Sequence, residues 1–278
     1  MKRWLIRLTV AFVLLLLLTV GGACALFTFL DIPREAPGVP RDAVSIDDTH
    51  TVSYLHAGDP AAPRIVYVHG SPGRATDWAR YVVDPIAGFE SLAIDRFGFG
   101  QSTPKGPEPS LREQARAIEP FLVERNGKWP ILVGHSLGGT IICQAAIDYP
   151  DRVGGLVILA GALAPQLETV HWYQRAADFA FMPSLLPRDL TTSNRELMPL
   201  KAELSALSER LGEITCPVAI IHGKKDMLVP VANADFMREH FAREIVHEFS
   251  VLPDQNHFLP WTVESKVRES IRSLAARK

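Results

Sequence analysis

Short apolar runs broken by glycine- and proline-rich turns set the rhythm of the chain from residue 64 onward. Arg64-Ile65-Val66-Tyr67-Val68, Ser91-Leu92-Ala93-Ile94-Asp95, Ile131-Leu132-Val133, Pro217 to Gly223 and Ile245 to Leu252 each read as strands. Runs of this length with little polar alternation suit the interior of a sheet. Thr140 to Ile147 reads as a helix, and a last helix is expected to begin near Trp261. Strands alternating with helices predict an α/β architecture with a largely parallel sheet. Residues 163 to 213 interrupt that alternation. Gln166 to Met182 is helix-like and aromatic, and Pro183, Pro187 and Pro199 break the remainder of the segment into short pieces. This segment is expected to form a helical cap. Most of its aromatics would pack the cap, with some lining an apolar pocket; His171, Trp172 and Tyr173 are the candidates for ligand contact.

The N-terminus has a different pattern. Leu8 to Leu30 is 23 residues long, uncharged and mostly apolar. About 20 such residues span a bilayer as a helix. Lys2, Arg3 and Arg7 precede the run and Asp31 comes directly after it. The positive-inside rule would then leave the rest of the chain on the non-cytoplasmic side, periplasmic or extracellular. Residues 1–30 are therefore expected to be a single-pass transmembrane anchor. The alternative is a signal peptide cleaved near Ala23-Cys24-Ala25, giving a secreted protein. Lipoprotein processing at Cys24 fits poorly, because Gly21 stands where a large aliphatic residue is needed. Residues 31–44, with Pro33, Pro37 and Pro40, read as an extended tether, and 45–278 as the folded domain.

Composition removes some function classes. The chain of 278 residues carries 29 basic and 31 acidic side chains, so nothing marks it for nucleic acid. No His/Cys/Asp spacing suggests a metal site, and no cofactor is implied. Cys143 and Cys216 fall in apolar elements and are expected to be buried free thiols, because one large core needs no disulfide.

The strongest chemical signal is Gly134-His135-Ser136-Leu137-Gly138-Gly139, between the strand ending at Val133 and the helix from Thr140. A Gly-x-Ser-x-Gly turn there is a nucleophile elbow. Its glycines stand where a Cβ would strike neighbouring backbone. Ser136 is pushed out at the strand tip above a helix N-terminus, which favours negative charge. Such a serine needs an acid and then a histidine, in that chain order. Asp226 lies in the loop after Pro217–Gly223, where catalytic groups gather in open sheets. The loop Gly161 to Gln166 after the preceding strand holds no carboxylate, which removes the other common place for the acid. His257 lies in the loop after the last strand, with Asp254 a weaker alternative acid. The bland readings are a turn aspartate and one of nine histidines in an ordinary surface or core role. Two N–H donors are expected to form an oxyanion hole: Leu137, directly after the serine, and Ser71, in the loop His69-Gly70-Ser71-Pro72-Gly73.

With His69 to Pro72, Asp95-Arg96-Phe97-Gly98-Phe99-Gly100-Gln101-Ser102, the elbow, Asp226 and His257 in view, the chain resembles the α/β-hydrolases from about residue 45 to its end. The resemblance lies with the serine-nucleophile, esterase- and lipase-like branch. It implies a mostly parallel eight-stranded sheet flanked by helices and bearing a lid. Relatives with an aspartate nucleophile, such as haloalkane dehalogenases and epoxide hydrolases, share the other motifs; Ser136 disfavours both of those chemistries. The expected activity is hydrolysis of small or lipid-like carboxylic esters by Ser136, Asp226 and His257 through an acyl-enzyme. The same triad can run acyl transfer, C–C bond hydrolysis or perhydrolysis. A non-catalytic binding module is the third possibility, and oligomeric state is open.

Overall fold

The computed structural model describes residues 36–277. Eight strands form one sheet: β1 Arg41–Ser45, β2 Thr51–Ala57, β3 Arg64–Val68, β4 Glu90–Ile94, β5 Ile131–His135, β6 Gly155–Leu159, β7 Val218–Gly223 and β8 Val246–Leu252. Their spatial order is β1-β2-β4-β3-β5-β6-β7-β8. β2 pairs antiparallel with both β1 and β4, and every other pairing is parallel. The mostly parallel, eight-stranded sheet expected from the resemblance is present.

Period-two alternation explains why both faces are apolar. Val66, Val68, Leu92, Ile94, Leu132, Ile158 and Ile220 point into one core layer. Ile65, Tyr67, Ala93, Val133, Val157, Leu159 and Ile221 point into the other. Helices cover both: α1 Ala79–Val83, α2 Leu111–Arg116, α3 Leu137–Asp148, α4 Trp172–Ala177, α5 Met182–Leu185, α6 Arg188–Leu197, α7 Leu200–Ser208, α8 Ala232–His240, α9 Leu259–Thr262 and α10 Glu264–Ala275. Helix α3 adds Ile141, Ile142 and Ala145 to the first layer, and α7 adds Leu200, Leu204 and Leu207. On the other face α10 contributes Val267, Ile271 and Leu274, again at helical spacing. Cys143 and Cys216 are free and buried. Burial pushes the Cys143 thiol well up and that of Cys216 to about 12, so neither is a ready nucleophile.

Two expectations need correction. The expected fold class included an N-terminal transmembrane helix from Leu8 to Leu30. No helix among the described residues is long and apolar enough to cross a membrane, and Leu8 to Leu30 lies outside the described residues. The longest described helices have 12 residues. At about 1.5 Å per residue that is about 18 Å, against about 30 Å for a bilayer core. Among the described residues the fold is the sheet and its flanking helices, without a membrane helix. Secondly, the tether expected to run to residue 44 already contains β1 from Arg41. Arg41 is tied in by charge: its Nη1 lies 2.6 Å from Asp95 Oδ2 and 2.8 Å from Ser53 Oγ.

That contact also explains the Asp95–Ser102 motif, which is a brace. Asp95 is fully buried. Its carboxylate accepts the N–H groups of Ala75 at 2.7 Å and Gln101 at 2.9 Å. Ser102 donates to the Asp95 carbonyl at 2.6 Å and accepts the Ser53 N–H at 2.8 Å. The turn closes on Gly100, at φ 49°, where an added Cβ would stand 2.0 Å from the Asp95 carboxyl carbon. Gly100→Ala should therefore cost about 2 kcal/mol or more from backbone strain and this collision together. Urea unfolding of the two proteins at one pH measures it, and an unchanged midpoint would sink the brace assignment.

Candidate active site

The parallel strands deliver the candidate groups to one edge of the sheet. Chain direction changes between β3 and β5: from β3 the chain crosses to β4 on one side, and from β5 to β6 on the other. A crevice outside the strand C-termini opens at such a reversal. Ser136 comes after β5 there, the His69–Gly73 loop after β3, Asp226 after β7 and His257 after β8.

The elbow is as tight as its glycines imply. Ser136 has φ 54° and ψ −124°, a conformation side-chain-bearing residues rarely adopt. A Cβ on Gly134 would sit 2.3 Å from the Gly138 carbonyl oxygen, and one on Gly138 would sit 2.3 Å from that of Val68. The Ser136 N–H is held by the Leu159 carbonyl at 2.9 Å. The first bond after the serine runs from the Gly139 N–H to the Ser136 carbonyl at 2.9 Å. Leu137, the first residue of α3, lies ahead of the helix's own acceptors, so its N–H has no intrahelical partner. Gly70 backs onto the serine: a Cβ there would be 3.0 Å from Ser136 Cβ. The Leu137 and Ser71 segments thus flank Ser136.

Asp226 and His257, 31 residues apart in sequence, meet with Nδ1 to Oδ2 at 2.7 Å, both buried. The other Asp226 oxygen accepts the N–H groups of Leu228 at 2.9 Å and Val229 at 2.8 Å. Burial alone would raise this carboxyl. The hydrogen bonds from His222, His257 and Val229 outweigh it and hold the carboxyl below its ordinary range. An ionised Asp226 fixes the proton on His257 Nδ1 and leaves Nε2 as the basic nitrogen. Asp254 instead faces outward and pairs with Lys225 at 2.8 Å.

Three further histidines support the site, none of them assigned a role from sequence. His135 Nε2 donates to the His257 carbonyl at 2.8 Å, and the two rings lie 4.7 Å apart. Burial, and the neighbouring His257, depress His135 to about 3, so it stays neutral and keeps one tautomer. His222 Nε2 bonds the Val229 carbonyl at 2.9 Å, pinning the Asp226 loop. His69 is neutral too, pushed well down by burial and by Arg96. Its Nδ1 faces the Gly70 carbonyl at 2.8 Å, while Nε2 accepts the Arg96 N–H at 3.1 Å. A carbonyl can only accept and an N–H can only donate, so the tautomer is settled. The signal for His135 lay beside Ser136 in the elbow itself; for His222 and His69 it was position at a strand end.

The aromatic candidates fall elsewhere. His171, Trp172 and Tyr173 are exposed at the start of α4, Trp172 to 80%, and their ring contacts are with one another. Phe179 and Phe181 are exposed as well, so this outer half of the segment does not pack as expected. An open pocket of about 480 Å3 lies beside α5 and α6, lined by Gly106, Pro107, Pro183, Leu186, Arg188 and Thr192. Its walls include neither the three aromatic candidates nor Ser136, Asp226 and His257.

Sequence and structure now define the class. Residues 63–211 match the α/β hydrolase fold family, and the chain belongs to it. Among curated proteins it is similar to a 2-hydroxy-6-oxononadienedioate/2-hydroxy-6-oxononatrienedioate hydrolase of Cupriavidus pinatubonensis, 26% identical over 232 residues that span 68% of this chain and 80% of the relative. Among solved structures it resembles a putative lipase from Acinetobacter baumannii, with TM-score 0.65, 19% identity, and coverage of 89% of this chain and 94% of that one. A 2-hydroxy-6-oxo-6-phenylhexa-2,4-dienoate hydrolase from a Rhodococcus species also gives TM-score 0.65, at 18% identity, with coverage of 86% and 99%. At such identities the structural likeness speaks for the fold alone.

One carboxyl beside the site titrates near neutrality. Asp77 accepts the Arg74 N–H at 3.0 Å, and burial raises it from 3.8 to about 7. It packs behind the His69–Gly73 loop: a Cβ on Gly73 would touch Asp77 Oδ2 at 2.7 Å and His69 Nδ1 at 2.6 Å. A carboxyl raised on folding binds its proton more tightly in the native state. Its stabilising contribution is complete below pH 3.8, shrinks as pH rises, and is lost above about 7. Relative to Asp77→Asn, the wild type should lose stability across that window, by at most about 1.4 kcal/mol per pH unit. Urea titrations of both proteins across the window decide it; parallel stability–pH curves contradict the assignment.

Proposed function

We propose that the chain is a serine hydrolase that cleaves carboxylic esters, with Ser136 as nucleophile, His257 as general base and acid, and Asp226 as the orienting acid. The observation that carries this reading is the buried 2.7 Å bond from His257 Nδ1 to Asp226 Oδ2, formed on the sheet edge that also presents Ser136 in its strained elbow.

In this reading His257 Nε2 takes the Ser136 hydroxyl proton as the oxygen attacks the ester carbonyl carbon. The N–H groups of Leu137 and Ser71 receive the oxyanion, each donor contributing about 3 kcal/mol. The intermediate collapses to an acyl-serine, and His257 passes its proton to the departing alcohol. Water then attacks the acyl-enzyme, with His257 again taking and returning the proton, and the carboxylic acid leaves. Small or lipid-like acyl esters are the substrate class we favour.

C–C bond hydrolysis is the second reading, because curated relatives at 26% identity bear the names of hydrolases of carboxylate-bearing dienes. A dicarboxylate substrate needs a cation near the serine. The buried cation beside the loop, Arg96, is already engaged by Glu196 and by the carbonyls of His69 and Gly70. That weighs towards esters.

Ser136→Ala should lower hydrolysis of p-nitrophenyl esters by about 10,000-fold or more without changing the unfolding midpoint. A fluorophosphonate probe should label the wild type at Ser136 only. Wild-type turnover in Ser136→Ala would rule out the nucleophile. Faster turnover of a 2-hydroxy-6-oxo-dienoate than of every ester tried would move the assignment to C–C cleavage.

A further inference from the structure

Helix α6 turns polar side chains inward. It exposes Leu190 and buries Thr192, Ser193 and Glu196, the carboxylate being 2% exposed. Burying a charge is costly unless it is fully paired. Glu196 is paired with Arg96, itself 0% exposed, through both guanidinium nitrogens Nη1 and Nη2. Gln114 Nε2 donates to the same carboxylate at 3.2 Å, and the Ser71 hydroxyl donates to it at 2.6 Å. Ser193 lies 2.9 Å from that hydroxyl.

The rest of the Arg96 guanidinium faces the candidate oxyanion loop. Nε donates to the His69 carbonyl at 3.1 Å, and Nη2 to the Gly70 carbonyl at 2.9 Å. Gly70 O also accepts from His69 Nδ1 at 2.8 Å, so two donors fix its direction. The Gly70–Ser71 peptide is planar and is not among the cis bonds. In a trans peptide the carbonyl and the next N–H point opposite ways. Fixing Gly70 O towards Arg96 therefore turns the Ser71 N–H away from Arg96. Arg96 is in turn oriented by Glu196, one hundred residues away in the helical segment between β6 and β7.

We infer that Glu196 is a positioning residue for the oxyanion hole: through Arg96 and the Ser71 hydroxyl it sets the orientation of the Gly70–Ser71 peptide, so that the segment between β6 and β7 completes the reaction centre. This rests on the reading of Ser136 as an acyl-forming nucleophile. Loss of the carboxylate frees the peptide to rotate, and the developing oxyanion loses an aligned donor. Ground-state ester binding, which needs no such donor, is spared.

Removing one member strands a buried charge and risks the fold, so the decisive protein is the double variant Arg96→Met/Glu196→Leu, which leaves no charge unpaired. Glu196→Gln serves as the companion. Both are assayed well below their unfolding temperatures with p-nitrophenyl butyrate and with an alkyl trifluoromethyl ketone, which forms a serine hemiketal and so samples the oxyanion hole. The expected result is a fall in kcat of about 100-fold with KM within about twofold, matched by an equal loss of ketone affinity. A double variant that is folded and matches the wild type in kcat and ketone affinity reduces the pair to a structural bridge and overturns the inference. If such a match accompanies fluorophosphonate labelling of Ser136, the serine-hydrolase reading survives; a wild type that neither labels nor turns over ester removes both.

Discussion

Backbone-to-backbone contact at the tips of the central strands is the constraint on which everything near Ser136 depends. Gly134 and Gly138 let chain segments approach to where a Cβ would stand 2.3 Å from a carbonyl oxygen, and Gly70 lies close enough that its Cβ would press on Ser136 at 3.0 Å. The strained torsions of Ser136 result from that crowding. They hold because the sheet beneath is buried on both faces, so the strand ends cannot relax apart. The acid and the histidine then need only sit in loops after two neighbouring strands, β7 and β8, and the parallel register brings those loops to the same edge. Positions separated by 31 residues meet without any helix or strand dedicated to the purpose.

Around this centre buried polar side chains work as braces. Asp95 collects the Arg41 side chain and two loop N–H groups. His135 holds the His257 backbone, and His222 holds the loop that carries Asp226. Each is buried and each bonds to backbone, which is how polar side chains acquire a place in a core. The loops that carry the site are thereby tied down by buried side chains.

Legibility from sequence depended on the kind of signal each element carries. The strands were readable because a strand buried on both faces is a short apolar run, and the elbow because its glycines are demanded by local collisions. Asp226 and His257 were readable by position after strands. Glu196 was not, because its role arises from a contact across one hundred residues and its helix buries polar side chains where an apolar stripe is expected. The reading of α4 failed for the converse reason: aromatic residues that suggest packing stand in the open. Leu8 to Leu30 has the composition of a membrane span but lies outside the described residues, which contain no such helix. β1 was missed because the prolines just ahead of it look like linker, while its partner Asp95 lies in a distant motif.

The segment between β6 and β7 divides at α6. From Thr192 onward one side of it reaches the interior, with Thr192, Ser193 and Glu196 buried and Leu200, Leu204 and Leu207 in the core. Ahead of that point Trp172, Phe179, Phe181 and Leu185 rest on nothing that stabilises the sheet. Substitution at these four exposed positions should cost little stability, whereas the buried positions of the second half are constrained by their packing. The outer half can thus be exchanged with little strain on the sheet that carries Ser136, and the two are joined within a single helix.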